Sequence, residues 1–407
     1  MSDAVLPVRD GGRLRVLEVS YSQRVWGAEL ATMALVGPLA ARGIDLTMAA
    51  PSGGDLEEHW RRLGVPFVPL EFPARHGIRG EGHGGRPGPV RFAGELATSV
   101  RSARMIAAVA KDFDLVHSNS LWAHLDCALA GRLARRPVVL ELYDLVRPGL
   151  GRHLLSAAAG LSTVAIAISR AVADIIGPLG ARHVTIVPLA VDLERFGPGP
   201  APAAVRRRLT SDEHAPLVGI VGRIDPEKGV DVLVRAMAAL SGPAAAAHLV
   251  VVGSPGVGPE GYAEQVHDEA ERLLGDRVRF VGRTEDVPAT LRALDVLVNA
   301  SVAEPFGLSV LEAQASAVAV VGTRAGGIPD FVADGDTGLL VAPRQVEALA
   351  GALDRLITDP ALRAGLAERG RRSAQRRGIE GRAEVIAELY RQVARRAARP
   401  PVLGRVA

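Results

Sequence analysis

The stretch NASVAEPFGLSVLEAQASAVAVVGTRAGGIPD, residues 299–330, sets two acids, a tight turn and a helix start close together. An apolar strand, Asp295 to Val298, leads into it. Glu304 precedes Pro305, which disfavours helix at the acid and predicts a loop facing a cleft. Gly307 allows close backbone approach, and Leu308 to Ala317 predicts a helix carrying Glu312 in its second turn. The unpaired N–H groups of that first turn can receive an anion. An ionised carboxylate accepts several hydrogen bonds, so two of them with seven residues between can each take a pair of vicinal hydroxyls. Two polyol rings flanking a diphosphate describe a nucleotide sugar. A helix-capping Glu304 and a solvated Glu312 are the plain alternative, against which stand Pro305-Phe306-Gly307 and Ala325-Gly326-Gly327-Ile328-Pro329-Asp330.

At 407 residues the chain exceeds one ordinary core and suits two domains. Hydrophobic residues make up 48% and aromatics only 4%, so the cores must be built from Ala, Val and Leu. A net charge of +3 without a Lys/Arg stripe argues against nucleic acid as a partner. The lone Cys127 allows no internal disulfide and reads as a buried small side chain. No run of eighteen apolar residues and no leader pattern occurs, which predicts a cytoplasmic protein.

Strand and helix patterns alternate from the start: strand Leu14 to Ser20, helix Gly27 to Ala41, strand Asp45 to Ala50, helix Leu56 to Leu63, strand Phe67 to Leu70. Such alternation predicts an α/β, doubly wound parallel sheet. Ala74 to Pro89 is rich in Gly, Arg and His without periodicity and reads as a surface loop over an acceptor entrance. Val90 to Val109 then predicts a basic-faced helix with Arg91, Arg101 and Arg104, a solvated face or a peripheral contact with an anionic membrane surface. Strands Leu115 to His117, Val138 to Tyr143, Thr163 to Ser169 and Val184 to Val187 follow, with Ser20, Asn119, Ser120, Asp144, Ser169 and Arg170 at their carboxyl ends, where ligands of such sheets bind. Asp112-Phe113-Asp114 and Asp334-Gly335-Asp336 resemble acid pairs that hold metal, but their turn positions predict capping, and no metal or other cofactor is expected.

Residues 1–197 thus form one expected domain, closed by Ala190 to Phe196; Gly197 to Pro202 opens a linker spanning 198–213. The alternation restarts over 214–375 with strands Leu217 to Val221, His248 to Val252, Val278 to Val281 and Asp295 to Val298, the gap between domains being the default site. The helical stretch Ala361 to Arg396 is longer than this domain needs, so 376–407 is expected to pack back on the first domain. At the end of the first of these strands, Gly222-Arg223-Ile224-Asp225-Pro226-Glu227-Lys228-Gly229 supplies two cations suited to a diphosphate leaving group. Gly253-Ser254-Pro255-Gly256-Val257-Gly258 has the wrong spacing for a dinucleotide fingerprint and reads as a loop.

With Arg223 to Lys228 and Glu304 to Glu312 both present, the chain resembles retaining glycosyltransferases of family 4, with the GT-B fold of two facing Rossmann-like domains. Trp26-Gly27-Ala28-Glu29 resembles the family's first glycine-rich loop, Val191 to Phe196 its interdomain segment, and Gly326 to Val341 its G-G-I-P-E and D-G-x-x-G-x-L-V run. The resemblance implies that Arg223 and Lys228 hold the diphosphate and Glu312 the ribose. It gives Glu304 the hydroxyls of the transferred sugar, aided by the backbone of Phe306, Gly307 and Leu308. Gly27 would bring its N–H to the phosphate, and Val281 to Thr284, Arg283 among them, would meet the base. Three departures stand out: Trp26 replaces a usual glycine, Val187-Pro188-Leu189-Ala190 lacks an Asn-Gly, and Asn119 stands where many relatives carry an active-site histidine.

Asn119 can hydrogen-bond a sugar hydroxyl but cannot take a proton, which favours same-face attack with the departing phosphate accepting the acceptor's proton. The expected activity is therefore metal-independent hexosyl transfer to a hydroxyl acceptor. A lipid-linked sugar, an aminocyclitol or other natural product, and an oligosaccharide all fit, as do UDP, GDP and ADP in the donor. A nucleotide-sugar epimerase of the same fold and a catalytically inactive nucleotide-sugar-binding protein remain open.

Overall fold

The computed structural model describes residues 12–73, 89–200, 203–256, 258–284 and 286–398. The chain divides into two compact units, residues 1–188 with 379–407, and residues 189–378.

The first unit is built on seven parallel strands: β1 (Leu14–Val19), β2 (Ile44–Ala50), β3 (Phe67–Pro69), β4 (Leu115–Ser118), β5 (Val138–Leu142), β6 (Val164–Ala167) and β7 (Val184–Ile186). Their order is β3-β2-β1-β4-β5-β6-β7, so the winding reverses between β1 and β4. β1 pairs through Val16↔Leu115 on one side and Val16↔Leu46 on the other. Val16, Met48, Leu115, Val139 and Ile166 of the strands pack with Leu35, Leu39 and Trp60 of two helices. Completing this core is the helix Ile379–Ala398, whose Ala383, Ile386, Ala387, Tyr390 and Val393 recur at helical spacing along one face. Burying each large side chain of that face stabilises the unit by roughly 1.5–3 kcal/mol.

The second unit repeats the plan with six parallel strands: β8 (Leu217–Val221), β9 (His248–Val252), β10 (Val278–Gly282), β11 (Val296–Asn299), β12 (Ala319–Thr323) and β13 (Leu339–Val341). The order β10-β9-β8-β11-β12-β13 reverses between β8 and β11, so both units are Rossmann-like doubly wound sheets. Val218, Leu249, Val296 and Val321 fill its core with Leu233, Met237, Leu353 and Leu356 from the flanking helices. As the composition requires, aliphatic side chains do the packing.

Several boundaries differ from the sequence reading. Ala190 to Phe196 belongs to the second unit, not the first: Val191 N–H bonds the Arg377 carbonyl at 2.9 Å, and the Phe196 carbonyl accepts from Ser316 Oγ at 3.1 Å. The expected linker contains a helix, Ala203–Leu209, whose Arg206 guanidinium is held by the Ala293 and Ala215 carbonyls and by Asp295. Strands β12 and β13 were not expected. The C-terminal helical stretch is two helices, Pro360–Ala374 and Ile379–Ala398, broken by a tight turn at Gln375–Arg377. The loop Ala74 to Pro89 lies outside the described residues apart from Pro89, which opens the helix Pro89–Ala110; Arg101 and Arg104 of that helix are exposed.

Candidate active site

Parallel strands put every carboxyl end of the second sheet on one edge, and the loops there carry most of the expected residues. Arg223 and Lys228 lie on the loop after β8, and Glu304, Phe306, Gly307 and Leu308 on the segment after β11. The helix that follows, Leu308–Ala315, carries Glu312. Arg283 is exposed after β10, three strands from β11 and so about 14 Å along the edge.

The loop after β8 turns on Asp225, which is buried and whose Oδ1 accepts from the Glu227 and Lys228 N–H groups, both at 3.1 Å. Its Oδ2 accepts from Arg223 Nε at 2.8 Å. Gly229, at φ +65°, then starts the helix Val230–Ala238 directly against β11, where a Cβ would lie 2.3 Å from the Ala300 carbonyl oxygen. Val302 N–H bonds the Glu227 carbonyl at 2.8 Å, lacing the two loops together.

Glu304 is the centre of this edge. Its Oε2 accepts from Lys228 Nζ at 2.7 Å, Ser301 Oγ at 2.9 Å and Asn299 Nδ2 at 3.1 Å. Burial alone would push this carboxyl up, but Lys228, aided by Asn299 and Ser301, outweighs it and holds Glu304 below the usual range. Among the described residues no donor is assigned to Oε1, which leaves that oxygen for an incoming hydroxyl. The backbone is held from behind by Gly327 N–H to the Glu304 carbonyl at 2.9 Å. Thr323 Oγ1 bonds the Ser301 carbonyl at 2.6 Å, which ties the β11 and β12 ends together.

After the acid the chain reverses through Gly307, at φ +99°, and enters its helix with no side chain capping the first turn. Phe306 is buried and stacks on Phe331 with centroids 5.0 Å apart, which fixes the turn from below. Glu312 is half-buried with no hydrogen-bond partner among the described residues. Burial pushes its carboxyl up to about 8 against the pull of Arg195.

The remaining two expected residues belong to the first unit. Gly27 opens the helix Gly27–Ala41, whose start is tied to β1 because Glu29 accepts from both Ser20 Oγ at 3.0 Å and Trp26 N–H at 3.2 Å. Asn119 is buried just past β4, donating to Thr32 Oγ1 at 3.3 Å, while its Oδ1 is buried without a donor.

Sequence reasoning missed the anchors of Glu304 and Asp225's hold on Arg223. It also missed a buried cluster inside the first unit: His117 lies 3.2 Å from Glu18 and 3.3 Å from Glu141, Tyr390 bonds its Nδ1, and Arg382 pairs with Glu141. Asp114 accepts from Arg15 N–H and Asp334 from Leu340 N–H, both at 2.8 Å, so one acid of each pair has a structural role. Among the described residues no group of three metal-ligating side chains occurs, and no helix is long and apolar enough to cross a membrane.

Two Rossmann-like units, one presenting an acid and two cations on its carboxyl edge, define the GT-B class of glycosyltransferases. The comparisons agree: the Glycosyltransferase Family 4 model matches residues 25–195, and the model of glycosyl transferases group 1 matches residues 203–373. The chain belongs to glycosyltransferase family 4. It is 42% identical over 191 residues to a D-inositol 3-phosphate glycosyltransferase of Stackebrandtia nassauensis, covering 45% of this chain and 43% of the relative. A D-inositol 3-phosphate glycosyltransferase of Kineococcus radiotolerans is 36% identical over 298 residues, covering 69% and 66%. The chain spans about half the length of the first curated relatives it matches, 43% to 50% of each. Its backbone resembles the crystal structure of Anabaena Alr3699/HepE in complex with UDP at a TM-score of 0.77 and 23% identity, over 93% of this chain and 100% of the other.

Proposed function

We propose that this protein is a retaining glycosyltransferase that moves a hexose-type sugar from a nucleotide diphosphate sugar to a hydroxyl acceptor, without a metal ion. The observation that carries this reading is the Lys228–Glu304 pair, which sets a cation and a sugar-binding carboxylate side by side at the switch point of the second sheet. In this reading Arg223 and Lys228 take the charge that grows on the diphosphate as the glycosidic bond breaks. Glu304 Oε1 and the Phe306 to Leu308 backbone hold the sugar, Glu312 takes the ribose hydroxyls, and Arg283 lies toward the base. Gly27 would offer its N–H to the phosphate, as the family resemblance implies. UDP and UDP-glucose in the Anabaena complexes favour UDP as the donor base.

The acceptor oxygen attacks the anomeric carbon on the face that the phosphate leaves, and its proton passes to the departing phosphate oxygen. Asn119 suits this route, because its unpaired Oδ1 can accept a hydroxyl hydrogen bond yet never a proton. The names of the curated relatives favour a phosphorylated cyclitol as the acceptor class.

A thermal-shift panel of UDP-, GDP- and ADP-sugars tests the donor. The matching donor at 100 times its Kd stabilises by about 2.7 kcal/mol. No shift with any of them overturns the reading. Incubation with inositol phosphate should then give a glycoside of unchanged anomeric configuration. Epimerised donor in the absence of acceptor, or a covalent glycosyl-enzyme in Asn119→Ala, overturns the proposed route.

A further inference from the structure

We infer that Asp225 is a positioning residue for the phosphate-binding cations, a proposal that rests on the reading of Arg223 and Lys228 given above. Its carboxylate is almost fully buried beneath the loop after β8, 1% exposed, and its two oxygens do different work. Oδ2 takes Arg223 Nε at 2.8 Å, which fixes the plane of the guanidinium and leaves its terminal nitrogens for another partner. Oδ1 takes the Glu227 and Lys228 N–H groups, closing the turn from which Lys228 reaches Glu304. One buried acid thus sets the direction of one cation and the backbone of the other.

The glycine motif after β9, unexplained by the donor site itself, serves the same end. Ile224 N–H bonds the Ser254 carbonyl at 3.0 Å and Gly256 N–H bonds the Ile224 carbonyl at 3.1 Å, so the two loops pair as a short extension of the sheet. A Cβ on Gly256 would sit 2.6 Å from Asp225 Oδ2 and 2.9 Å from Arg223 Cβ. Gly253 passes closer still, its absent Cβ falling 1.7 Å from the Gly222 carbonyl oxygen. The glycines let one loop pack closely against the aspartate and its arginine, burying the carboxylate while the guanidinium stays partly exposed.

The two oxygens can be separated by substitution. In Asp225→Asn the amide oxygen can still accept the two backbone N–H groups, whereas the amide NH2 then faces Arg223 Nε–H and releases the guanidinium. Asp225→Ser likewise caps the turn without reaching Arg223, and serves if the Asn variant does not fold. UDP affinity is measured by calorimetry for wild type, Arg223→Ala, Asp225→Asn and the double variant. Asp225→Asn is expected to weaken UDP by roughly tenfold, the scale of losing one well-oriented hydrogen bond between charged groups. The same substitution made on top of Arg223→Ala should cost less than twofold, because its partner is already gone. An equal loss in both backgrounds, or none in either, overturns the inference. Unchanged UDP binding in Arg223→Ala overturns instead the phosphate role of Arg223 on which it rests.

Discussion

Lys228 and Glu304, 76 residues apart, form one ion pair with Nζ 2.7 Å from Oε2, so the expected phosphate cation and the expected sugar acid are joined before any donor arrives. Lys228 side-chain exposure is 22% and that of Glu304 8%. The acid therefore depends on the lysine more than the lysine on the acid. Lys228→Ala leaves a buried carboxylate with only Asn299 and Ser301, and should cost about 3 kcal/mol of stability, near the lower end for breaking such a pair because the lysine is partly solvated. Adding Glu304→Gln should restore most of that stability in a denaturant titration while transfer stays at least a hundredfold down. A double variant as unstable as Lys228→Ala would show that the pair is not what holds this edge.

Glu312 gives the donor site a pH dependence. Its carboxyl, raised to about 8 by burial, is protonated near neutrality, whereas ribose hydroxyls donate best to the ionised form. UDP binding should thus release a proton at pH 7 and tighten as pH rises toward 8. Calorimetry at pH 7 in two buffers of different ionisation heat measures the release, which should vanish in Glu312→Gln.

The buried cluster of the first unit links stability to pH in the other direction. Burial first, with Glu141 and Glu29, raises Glu18 to about 7 against the pull of His117, so its folded value lies above the 4.5 of a free Glu. A raised folded value means stability that is complete below 4.5 and lost as pH climbs through about 7, a difference of about 3 kcal/mol. His117, raised by Glu18 and Glu141 despite burial, contributes with the same sign. Glu141, drawn down to about 2 by Arg382 and His117 against burial, acts oppositely but only in strong acid. Glu18→Gln should therefore raise the melting temperature at pH 8 and change it little at pH 4.5, as calorimetric scans at the two values would show.

Gly326 has φ +59° and approaches so closely that a Cβ would fall 1.7 Å from the Glu304 carbonyl oxygen. Gly326→Ala must push the acid's backbone away and strain its own, at a cost of about 2–4 kcal/mol. Transfer should fall with it. Gly381→Ala, on an open face of the C-terminal helix with nothing within 4 Å of its Cβ, should leave both the melting point and transfer near wild type.

Much of this was legible in the sequence where a residue constrains its own backbone. Pro305 and Gly307 both follow Glu304 within three residues and make opposite demands on the backbone, and strand-to-helix alternation alone predicts a doubly wound sheet. What decided the rest lies far along the chain. Ala190 to Phe196 has no periodicity to show which unit it joins, and Gly378, its bridge partner, is 187 residues beyond Val191. The apolar runs of β12 and β13 are too short for periodicity to separate strand from helix. The buried cluster did leave a trace, since Glu141 interrupts an otherwise apolar strand and Glu18 falls in the apolar half of another, in a sheet covered on both faces where an acid must find a partner. Nothing local names those partners as His117 and Arg382.

A crystal structure of the protein with UDP tests the central claim most directly. The account predicts diphosphate oxygens within hydrogen-bond distance of Arg223 and Lys228, with the ribose diol on Glu312. Density for UDP away from the carboxyl edge of the second sheet, or seated there without those three side chains, would contradict it.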